Sequence, residues 1–262
     1  RKFKVKFGRL NHIFISHLHG DHVLGLFGLL SSFNLLGRTN DLHIYAPVGL
    51  NELLQNYYRF FQQNLFYKVH YHPLMNDLEE SLLENKNLVV KAFPLKHHIP
   101  AYGFLFSEKK RSDHMRKEKI SEYEIPVKEI ERIKAGGDYT RPDGTVIPHE
   151  ELTFPAQPPR SYAYCSDTLY HEDILPMIEG IDLLFHEATF LHDHVARARE
   201  TGHSTARQAA LMAQKAGVKK LILGHFSARY RDLTPLLEEA RLVFPNTFLA
   251  EDGMQIDIPF EN

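Results

Sequence analysis

Cysteine is nearly absent from this 262-residue chain, and the marks of membrane and secreted proteins are missing from its sequence. A single cysteine, Cys165, excludes an internal disulfide and favours a reducing compartment such as the cytoplasm. No apolar run approaches the roughly 20 residues of a membrane span, and no signal-peptide pattern opens the chain. The formal net charge of −2 does not indicate a nucleic-acid-binding protein, so such a role would need a local basic patch.

Histidine, by contrast, is abundant, with seventeen residues. Within residues 17–22, which read HLHGDH, four side chains are able to bind a metal: His17, His19, Asp21 and His22. An apolar segment predicted as a strand precedes this run, and we expect Gly20 to permit a tight turn that lets the neighbouring side chains converge. Neutral imidazole and carboxylate suit zinc, and manganese or iron accept the same ligands.

Strands alternate with helices along most of the chain, which indicates a layered α/β fold. Polar side chains recur where predicted strands end, at residues 16–17, 95–97, 165–167, 185–186 and 223–225. Ligand sites in α/β sheets gather at the carboxyl ends of strands, so these side chains are expected to share one sheet edge. A last strand is predicted at residues 255–258.

Residues 108–160 differ in character from the rest of the chain. They begin with a charged run that includes Lys109, Lys110 and Arg111. Glycines and prolines then punctuate a stretch poor in core residues, which predicts an arm or long loop inserted into a single domain spanning residues 1–262. Such a charge run is usually a solvated surface, and that alternative stands beside a role in binding phosphates.

The HLHGDH run resembles the HxHxDH signature of the metallo-β-lactamase superfamily, and further motifs resemble the ribonuclease Z family within it. The motifs are LNHIFIS before the run and VLGLFGLL after it, PLKHHIPAYGF at 94–104, SDT at 166–168, HEATF at 186–190, GHST at 202–205 and GHFSARY at 224–230. The resemblance covers essentially the whole chain apart from 108–160. It implies an α/β fold, the αββα four-layer sandwich with a protruding arm, and strands ahead of Arg1 that complete one sheet.

The resemblance also implies a ligand set for two zinc ions at one edge of the paired sheets. One ion would be held by His17, His19 and His97, the other by Asp21, His22 and His225, with Asp167 bridging them. From the residues alone, His97 and the adjacent His98 are equal candidates, and Asp167 could equally be a turn residue or helix cap. The family pattern selects His97 as the ligand and favours Asp167 as the bridging ligand. His186 is expected to be a buried or supporting histidine.

Glu187 and His203 are the candidate catalytic pair. Phosphodiester cleavage needs a proton for the departing oxygen, which a histidine held by a carboxylate can supply. We therefore expect His203 to be the general acid, Glu187 to orient it, and Asp21 to act as base or to orient the attacking water. The alternative is that Glu187 pairs locally and His203 merely precedes a helix cap. Expected phosphate contacts are Thr205, Ser227, Arg229, Lys109, Lys110 and Arg111.

The other histidines lie in predicted strands or turns without converging partners, and we interpret them as structural or solvated. They are His12, His43, His70, His72, His114, His149, His171, His192 and His194. An aromatic stripe is interpreted as helix packing rather than a base-stacking platform; its members are Tyr57, Tyr58, Phe60 and Phe61.

Together with the resemblance, these residues predict a zinc-dependent endoribonuclease that removes the 3′ trailer of precursor tRNA and leaves a 3′-hydroxyl on the tRNA. The arm would grip the tRNA elbow, although the Gly-Pro-rich tip of bacterial relatives is reduced to Gly136-Gly137-Asp138. The family pattern implies a homodimer. Two alternatives are another hydrolase of the superfamily, acting on a small phosphodiester, thioester or lactone, and a metal-bound RNA-binding scaffold without turnover. The HEATF and GHST motifs disfavour the first, and the complete ligand set disfavours the second.

Overall fold

The computed structural model describes residues 6–75 and 81–260 of the chain. The strands among them are β1 (His12–Phe14), β2 (Leu42–Pro47), β3 (Val69–Leu74), β4 (Leu83–Glu84), β5 (Leu88–Leu95), β6 (Ala101–Glu108), β7 (His114–Met115), β8 (Tyr139–Thr140), β9 (Val146–Ile147), β10 (Thr153–Phe154), β11 (Ser161–Cys165), β12 (Leu183–Glu187), β13 (Lys220–Gly224) and β14 (Thr247–Leu249). The helices are α1 (Gly20–Leu35), α2 (Leu50–Phe60), α3 (Lys117–Glu122), α4 (Val127–Lys134), α5 (His149–Leu152), α6 (Leu175–Ile178), α7 (Val195–Thr201), α8 (Ala206–Lys215) and α9 (Thr234–Arg241). Short 3-10 turns occupy Phe7–Arg9, Glu172–Ile174 and His192–His194.

These elements form two compact units. The first consists of the described parts of residues 1–107 and 161–257, and the second of residues 108–160 with the described end of the chain from residue 258. The first unit holds two β-sheets, one of order β1-β2-β3 and one of order β14-β13-β12-β11-β6-β5-β4. Strands β11 to β14 run parallel, so their carboxyl ends meet at one edge of the larger sheet.

Four layers follow from the way the two sheets bury their faces. One face of the small sheet packs on α1 and α2, through Leu42 and Ile44. Its opposite face meets the larger sheet, where Tyr45 shares a core with Phe104. The far face of the larger sheet packs on α8 and α9, and the buried alanines of α8 allow a close approach. The layers therefore run helix, sheet, sheet, helix, as the resemblance implies.

Three local predictions differ from the structure. The Leu- and Phe-rich residues 23–36 predict a helix that ends at Gly37. The observed helix begins at Gly20, which lies inside its first turn, so the expected tight turn at Gly20 is wrong. Residues 255–258 form no strand, and α7 was not predicted, because Val195–Thr201 has few apolar residues to set a period. Gly37 and Gly217 do follow α1 and α8 with positive φ, as helix-ending glycines should.

The second unit is more than a loop. Residues 108–160 carry their own hydrophobic core, so the expectation of a core-poor arm is wrong. The buried members of that core are Ile125, Ile133, Tyr139, Ile147 and Leu152. They come from short helices, two-residue strands and the loops between them. The helical pattern of residues 127–134, which does form a helix, accounts for Ile133 alone among them.

Candidate metal centre

The HLHGDH run lies where β1 ends and α1 begins. His17 and His19 lie in the connecting segment, and Asp21 and His22 occupy the first turn of the helix. His17 is fully buried, His19 and His22 are half-buried, and the side chain of Asp21 is 73% exposed. Side chains from the connecting segment and from the first helical turn therefore lie close together.

A first group of ligand atoms combines this segment with the end of β5 and the end of β11. The members are His17, His19, His97 and Asp167, and their ligand atoms all lie within 4.8 Å of one another. His97 Nε2 is 3.2 Å from His19 Nδ1, and His17 Nε2 is 3.5 Å from Asp167 Oδ2. His97 Nδ1 donates to the Gly202 carbonyl at 2.8 Å, which directs Nε2 toward the group.

A second group combines Asp21, His22 and His225. His22 Nε2 lies 3.2 Å from His225 Nε2 and 3.4 Å from Asp21 Oδ2. Asp167 faces this group as well, since its Oδ2 is 3.4 Å from His22 Nε2 and its Oδ1 is 3.3 Å from His225 Nε2. Asp167 is therefore the one carboxylate of these two groups that reaches both of them.

The separations fit metal coordination. Two ligands bound at 2.0–2.1 Å in tetrahedral geometry lie about 3.3 Å apart, and the ligand pairs measured here are 3.2–3.5 Å apart. His17 Nε2 is a buried nitrogen without a hydrogen-bond partner in the described part of the chain, and a metal would satisfy it. The residues present thus fit a centre of divalent metal ions.

The charges of the centre suit such ligands. The pKa of Asp167 lies well below its usual range: burial alone would raise it, but the neighbouring imidazoles of His17, His22 and His225 lower it by a larger amount. Burial lowers the pKa of His97, which favours the neutral imidazole that binds metals. The centre therefore presents a carboxylate and neutral nitrogens.

Glu187 connects the residues around the ligands through its hydrogen bonds. It is fully buried at the end of β12 and accepts hydrogen bonds on both carboxylate oxygens. Oε1 accepts from His203 Nδ1 at 2.9 Å and from the Thr168 backbone N–H at 2.8 Å. Oε2 accepts from the Thr189 hydroxyl at 2.7 Å. The hydroxyl oxygen of Thr189 in turn accepts from His225 Nδ1 at 2.9 Å. One carboxylate thus orients His203 directly and the ligand His225 through Thr189.

His203 lies beside the ligands on the side facing Glu187. Its ring stacks on His225 with centroids 5.3 Å apart, and one of its nitrogens lies within 4.8 Å of ligand atoms of Asp167 and His225. Burial alone would lower the pKa of His203, but the hydrogen bond and charge of Glu187 raise it above the ordinary value. A protonated His203 is thus favoured next to the centre.

The backbone at His225 is strained. His225 has a φ of 57°, a left-handed conformation uncommon for residues other than glycine. It follows Gly224, where a Cβ would lie 2.3 Å from the Phe185 ring, so the chain passes too close to β12 for a larger residue. With this backbone conformation, the imidazole of His225 lies against Asp167 and Thr189.

Known proteins resemble this chain over the segments that carry the metal centre. A family model described as a β-lactamase superfamily domain matches residues 3–115 and 151–226. The ribonuclease Z of Bacteroides fragilis is 52% identical over 258 residues, covering 98% of this chain and 85% of that protein, and the ribonuclease Z of Bacteroides thetaiotaomicron is equally identical over 82% of its length. The crystal structure of human tRNase Z, short form, superposes with a TM-score of 0.67 at 27% identity, covering 99% of this chain and 83% of that one.

The chain belongs to the ribonuclease Z family. The predicted metallo-β-lactamase fold and the predicted enzyme type are thereby confirmed. Within the family frame, the structure brings together all seven residues expected as ligands, and it separates His97 from His98, whose side chain is directed to the Glu200 carbonyl. His186 is buried and donates to the Glu187 carbonyl at 2.7 Å, as expected of a supporting residue.

The residues expected to contact phosphate divide into two kinds in this ribonuclease Z-family chain. Thr205 is fully buried and caps α8 by accepting from the Gln208 N–H, so the prediction of a phosphate contact there is wrong. Arg229 is exposed and lies over the Phe190 ring at 4.9 Å, and Ser227 is half-buried beside it. Among the basic residues of the second unit, Lys110 and Arg111 are exposed and Lys109 is half-buried.

Sequence reasoning missed the threonines and the glycine that hold the catalytic pair. Thr168 offers Glu187 its N–H and accepts from Ser204 Oγ at 2.7 Å, Thr189 links Glu187 to His225, and Gly202 supports His97. Each contact joins residues far apart in sequence or uses backbone atoms. The only signal in the sequence was the position of these residues inside the HEATF, SDT and GHST motifs.

Proposed function

We propose that this chain is a zinc-dependent endoribonuclease that removes the 3′ trailer of precursor tRNA and leaves a 3′-hydroxyl on the tRNA. The observation that carries the proposal is the Glu187–His203 pair, hydrogen-bonded at 2.9 Å and set against the ligand residues. The ribonuclease Z relatives and the likeness to human tRNase Z supply the substrate class.

Two ions would be held by the two ligand groups, with Asp167 shared between them. When bound, such ions stabilise charge on phosphate oxygens and make water a stronger nucleophile at neutral pH. Zinc is favoured by five imidazoles and two carboxylates at tetrahedral spacings. The exposed Asp21 carboxylate is free on one side to orient a water or accept its proton.

His203 supplies the proton for the leaving group. As water attacks phosphorus, the bond from phosphorus to the 3′ oxygen of the tRNA breaks, and that oxygen takes a proton from His203 Nε2. Glu187 fixes the ring by accepting from Nδ1, and its charge favours the protonated ring before the transfer. The products are a tRNA with a 3′-hydroxyl and a trailer with a 5′-phosphate.

The second unit is proposed to bind the tRNA. Residues 108–160 contain eleven Lys or Arg and eleven Asp or Glu, so any attraction for RNA is local rather than general. Most basic side chains of its helices are paired, as Arg132 is with Glu129 and Lys134 with Glu131. The segment with Lys109, Lys110 and Arg111 is where positive charge is concentrated, and it is proposed to contact tRNA phosphates.

A homodimer is proposed to form through the outer surface of α1 and α2. Three large apolar side chains there are mostly exposed: Leu24 by 64%, Phe60 by 79% and Phe61 by 61%. They line one groove together with Phe27 and Tyr57. The expectation that Phe60 and Phe61 pack inside the fold is therefore wrong, and a concentrated apolar patch of this kind is typical of a protein–protein interface.

The dimer is tested by measuring molar mass in solution. We expect the double variant Phe60→Asp/Phe61→Asp to be a monomer by light scattering where the parent chain is a dimer. Leu242→Asp is the matched control, because Leu242 is 89% exposed outside this groove and its loss should leave the dimer intact. A parent chain that is monomeric at micromolar concentration would refute the proposal.

The cellular site is proposed to be the cytoplasm, where precursor tRNA is processed in bacteria and where the single, buried Cys165 would stay reduced. In the described residues no helix is long and apolar enough to cross a membrane.

The function is tested by cleavage of a precursor tRNA with a 3′ trailer, beside bis(p-nitrophenyl) phosphate as a small ester. We expect cleavage that ends in a 3′-hydroxyl on the tRNA, is abolished by a chelator and is restored by zinc. Activity on the small ester without cleavage of the precursor would refute the tRNA assignment. Activity that survives chelation would refute the metal dependence.

A further inference from the structure

A short segment near the end of the described chain belongs to the second unit. Residues 258–260 group with residues 108–160, although the residues just before them group with the first unit. They form neither helix nor strand, so side-chain contacts hold them in place. The main partner is Arg160, the last residue of 108–160, and we call residues 258–260 the strap.

Arg160 binds the strap and Glu108 at the same time. Its Nη1 donates to the Ile258 carbonyl at 3.1 Å, and its guanidinium lies over the Phe260 ring with Cζ 4.2 Å from the ring centroid. Its Nε and Nη2 donate to the two carboxylate oxygens of Glu108 at 3.0 Å and 2.6 Å. Partners on the edges and on one face of the guanidinium therefore hold this half-buried side chain in one position.

Arg111 lies against the same cluster. Its Cζ is 5.8 Å from the centroid of the Phe260 ring, and its Nη2 is 3.5 Å from Glu108 Oε1. Phe260 thus contacts two guanidiniums, both within the distance at which an aromatic ring attracts a cation. Glu108 binds Arg160 more closely than Arg111, so most of the five N–H donors of Arg111 are left for another partner.

The charges beside the strap favour an anion. Arg111 and Arg160 carry two positive charges against the single negative charge of Glu108, and the neighbouring Lys110 is exposed. The Arg111 side chain is 53% exposed, so a phosphate can reach it from water. A guanidinium that is already held in place loses less conformational entropy on binding a phosphate than one that rotates freely.

We propose that the strap positions Arg111 for a tRNA phosphate, with the Phe260 ring holding the guanidinium in place. Phe260 is a positioning residue, since it acts through Arg111 and does not itself bind the phosphate. The inference rests on the proposed function, because it concerns how the second unit binds precursor tRNA. It implies that Arg111 and Phe260, far apart in sequence, act together in RNA binding.

The test is the affinity of the zinc-loaded chain for a fluorescently labelled tRNA without a trailer, which binds but is not cut. We expect Phe260→Ala to raise the Kd by about 2–10-fold, because Arg111 must then be ordered on binding. Phe260→Tyr keeps the ring and should stay within about twofold of the parent. Phe260→Ala with the parent's Kd would overturn the proposal.

Phe248→Ala is the matched control. Phe248 is 37% exposed and Phe260 36%, and two cations, Lys220 and Arg241, lie over the Phe248 ring as well. Phe248 belongs to the first unit, so its loss should leave the Kd for tRNA unchanged. An equal rise in Kd in both alanine variants would overturn the proposal, because the effect would then not be specific to the strap.

A double-mutant cycle separates positioning from a general structural role. If Phe260 acts through Arg111, Phe260→Ala should change the Kd by less than about twofold once Arg111→Ala is present. In a Lys110→Ala background its full effect should remain. An undiminished effect of Phe260→Ala in the Arg111→Ala background would overturn the proposal and indicate that the strap only supports the fold of the second unit.

Binding and cleavage are measured separately, so the two proposals fail in different ways. A chain that binds tRNA but leaves the precursor uncut would refute the ribonuclease activity, and its Kd values would still decide the role of the strap. A parent chain without affinity for tRNA would overturn the strap as well. Hydrolysis of bis(p-nitrophenyl) phosphate by Phe260→Ala should equal that of the parent, and a loss there would contradict a role confined to RNA binding.

Discussion

The polar side chains of the metal centre and those of the second unit are held in opposite ways. Glu187 and Asp167 at the centre are buried; Glu187 is fixed by hydrogen bonds on both oxygens, and both oxygens of Asp167 face ligand imidazoles at 3.3–3.5 Å. In the second unit, ion pairs such as Arg132–Glu129 and Lys134–Glu131 lie on the helix surface with much of each side chain in water. Buried polar networks depend on every member, whereas exposed pairs contribute about 0–1 kcal/mol each.

This difference separates two tasks in one chain. The sheet edge must hold reacting groups within a few tenths of an ångström, so single substitutions there should have large effects on chemistry. A surface that attracts phosphates has no such demand, and its effects should be small, additive and sensitive to salt. Substitutions in the two regions test that contrast, and the largest effect is expected at the metal centre.

Removing the imidazole of His203 should cost the most. We expect His203→Ala to lower kcat on precursor tRNA by about 10²–10⁴-fold, the usual contribution of a general acid, while zinc content stays that of the parent. Single-turnover kinetics and metal analysis are the measurements. His98→Ala is the control, because His98 is an exposed histidine whose side chain is directed to the Glu200 carbonyl. Zinc lost from His203→Ala would show that His203 is a ligand instead.

The second-largest effect is expected at Gly202, a glycine that supports the ligand His97. Gly202 has a φ of 74°, and a Cβ there would lie 2.7 Å from His97 Nδ1. We expect Gly202→Ala to displace His97 and to weaken zinc binding by about 10–100-fold, measured by competition with a chelator. Gly217→Ala is matched, since its φ is 63° with no atom within 4 Å of the added Cβ. Equal zinc affinities in the two variants would mean that only backbone strain was changed.

The metal centre could be predicted from the sequence only in part. The sheet edge was predictable because polar side chains follow apolar strands there. The full ligand set came from the family resemblance, since the residues alone left His97 and His98 as equal candidates and Asp167 open. Thr189 and Gly202 were not predictable, because their roles depend on contacts with His225 and His97 that only the folded chain creates. Thr205 was misread although the sequence carries a local signal: Thr205 and Gln208 have the S/T-x-x-E/Q spacing of a capping box, and both hydrogen bonds of that box are present.

The fold divides along similar lines. Strands β5 and β12 lie close to the bounds that their apolar residues predict, residues 88–94 and 182–186. The core of the second unit was not predicted, because Tyr139, Ile147 and Leu152 come from separate short elements. Local periodicity has no access to a core assembled from such pieces.

Phosphate binding by the second unit should respond weakly and through salt. We expect Lys110→Ala/Arg111→Ala to raise KM for precursor tRNA by about 3–10-fold and to reduce the slope of log KM against log salt by about 1–2. Hydrolysis of bis(p-nitrophenyl) phosphate should be unchanged. Arg132→Ala/Lys134→Ala removes the same charge from residues that are paired at 2.9 Å and 3.1 Å with Glu129 and Glu131, closer than Arg111 is to Glu108 at 3.5 Å, and should have a smaller effect. Equal effects of the two double variants would contradict a specific phosphate contact at Lys110 and Arg111 and would indicate an effect of net charge alone.

The smallest expected effect lies where the chain enters and leaves the second unit. Glu108 accepts from Arg160 Nη2 at 2.6 Å and from Arg160 Nε at 3.0 Å, and the Arg160 guanidinium holds the pKa of Glu108 at about 2. A carboxylate with a lowered pKa stabilises the fold above its unfolded value of 4.5, and this stabilisation is lost as pH falls through about 2. We expect Glu108→Gln to lower the local unfolding free energy by about 1 kcal/mol at pH 7 and by almost nothing near pH 2, measured by hydrogen exchange over residues 108–160. A loss that persists unchanged near pH 2 would mean that packing, not charge, fixes Arg160, and the second unit would then share the buried-network character of the metal centre.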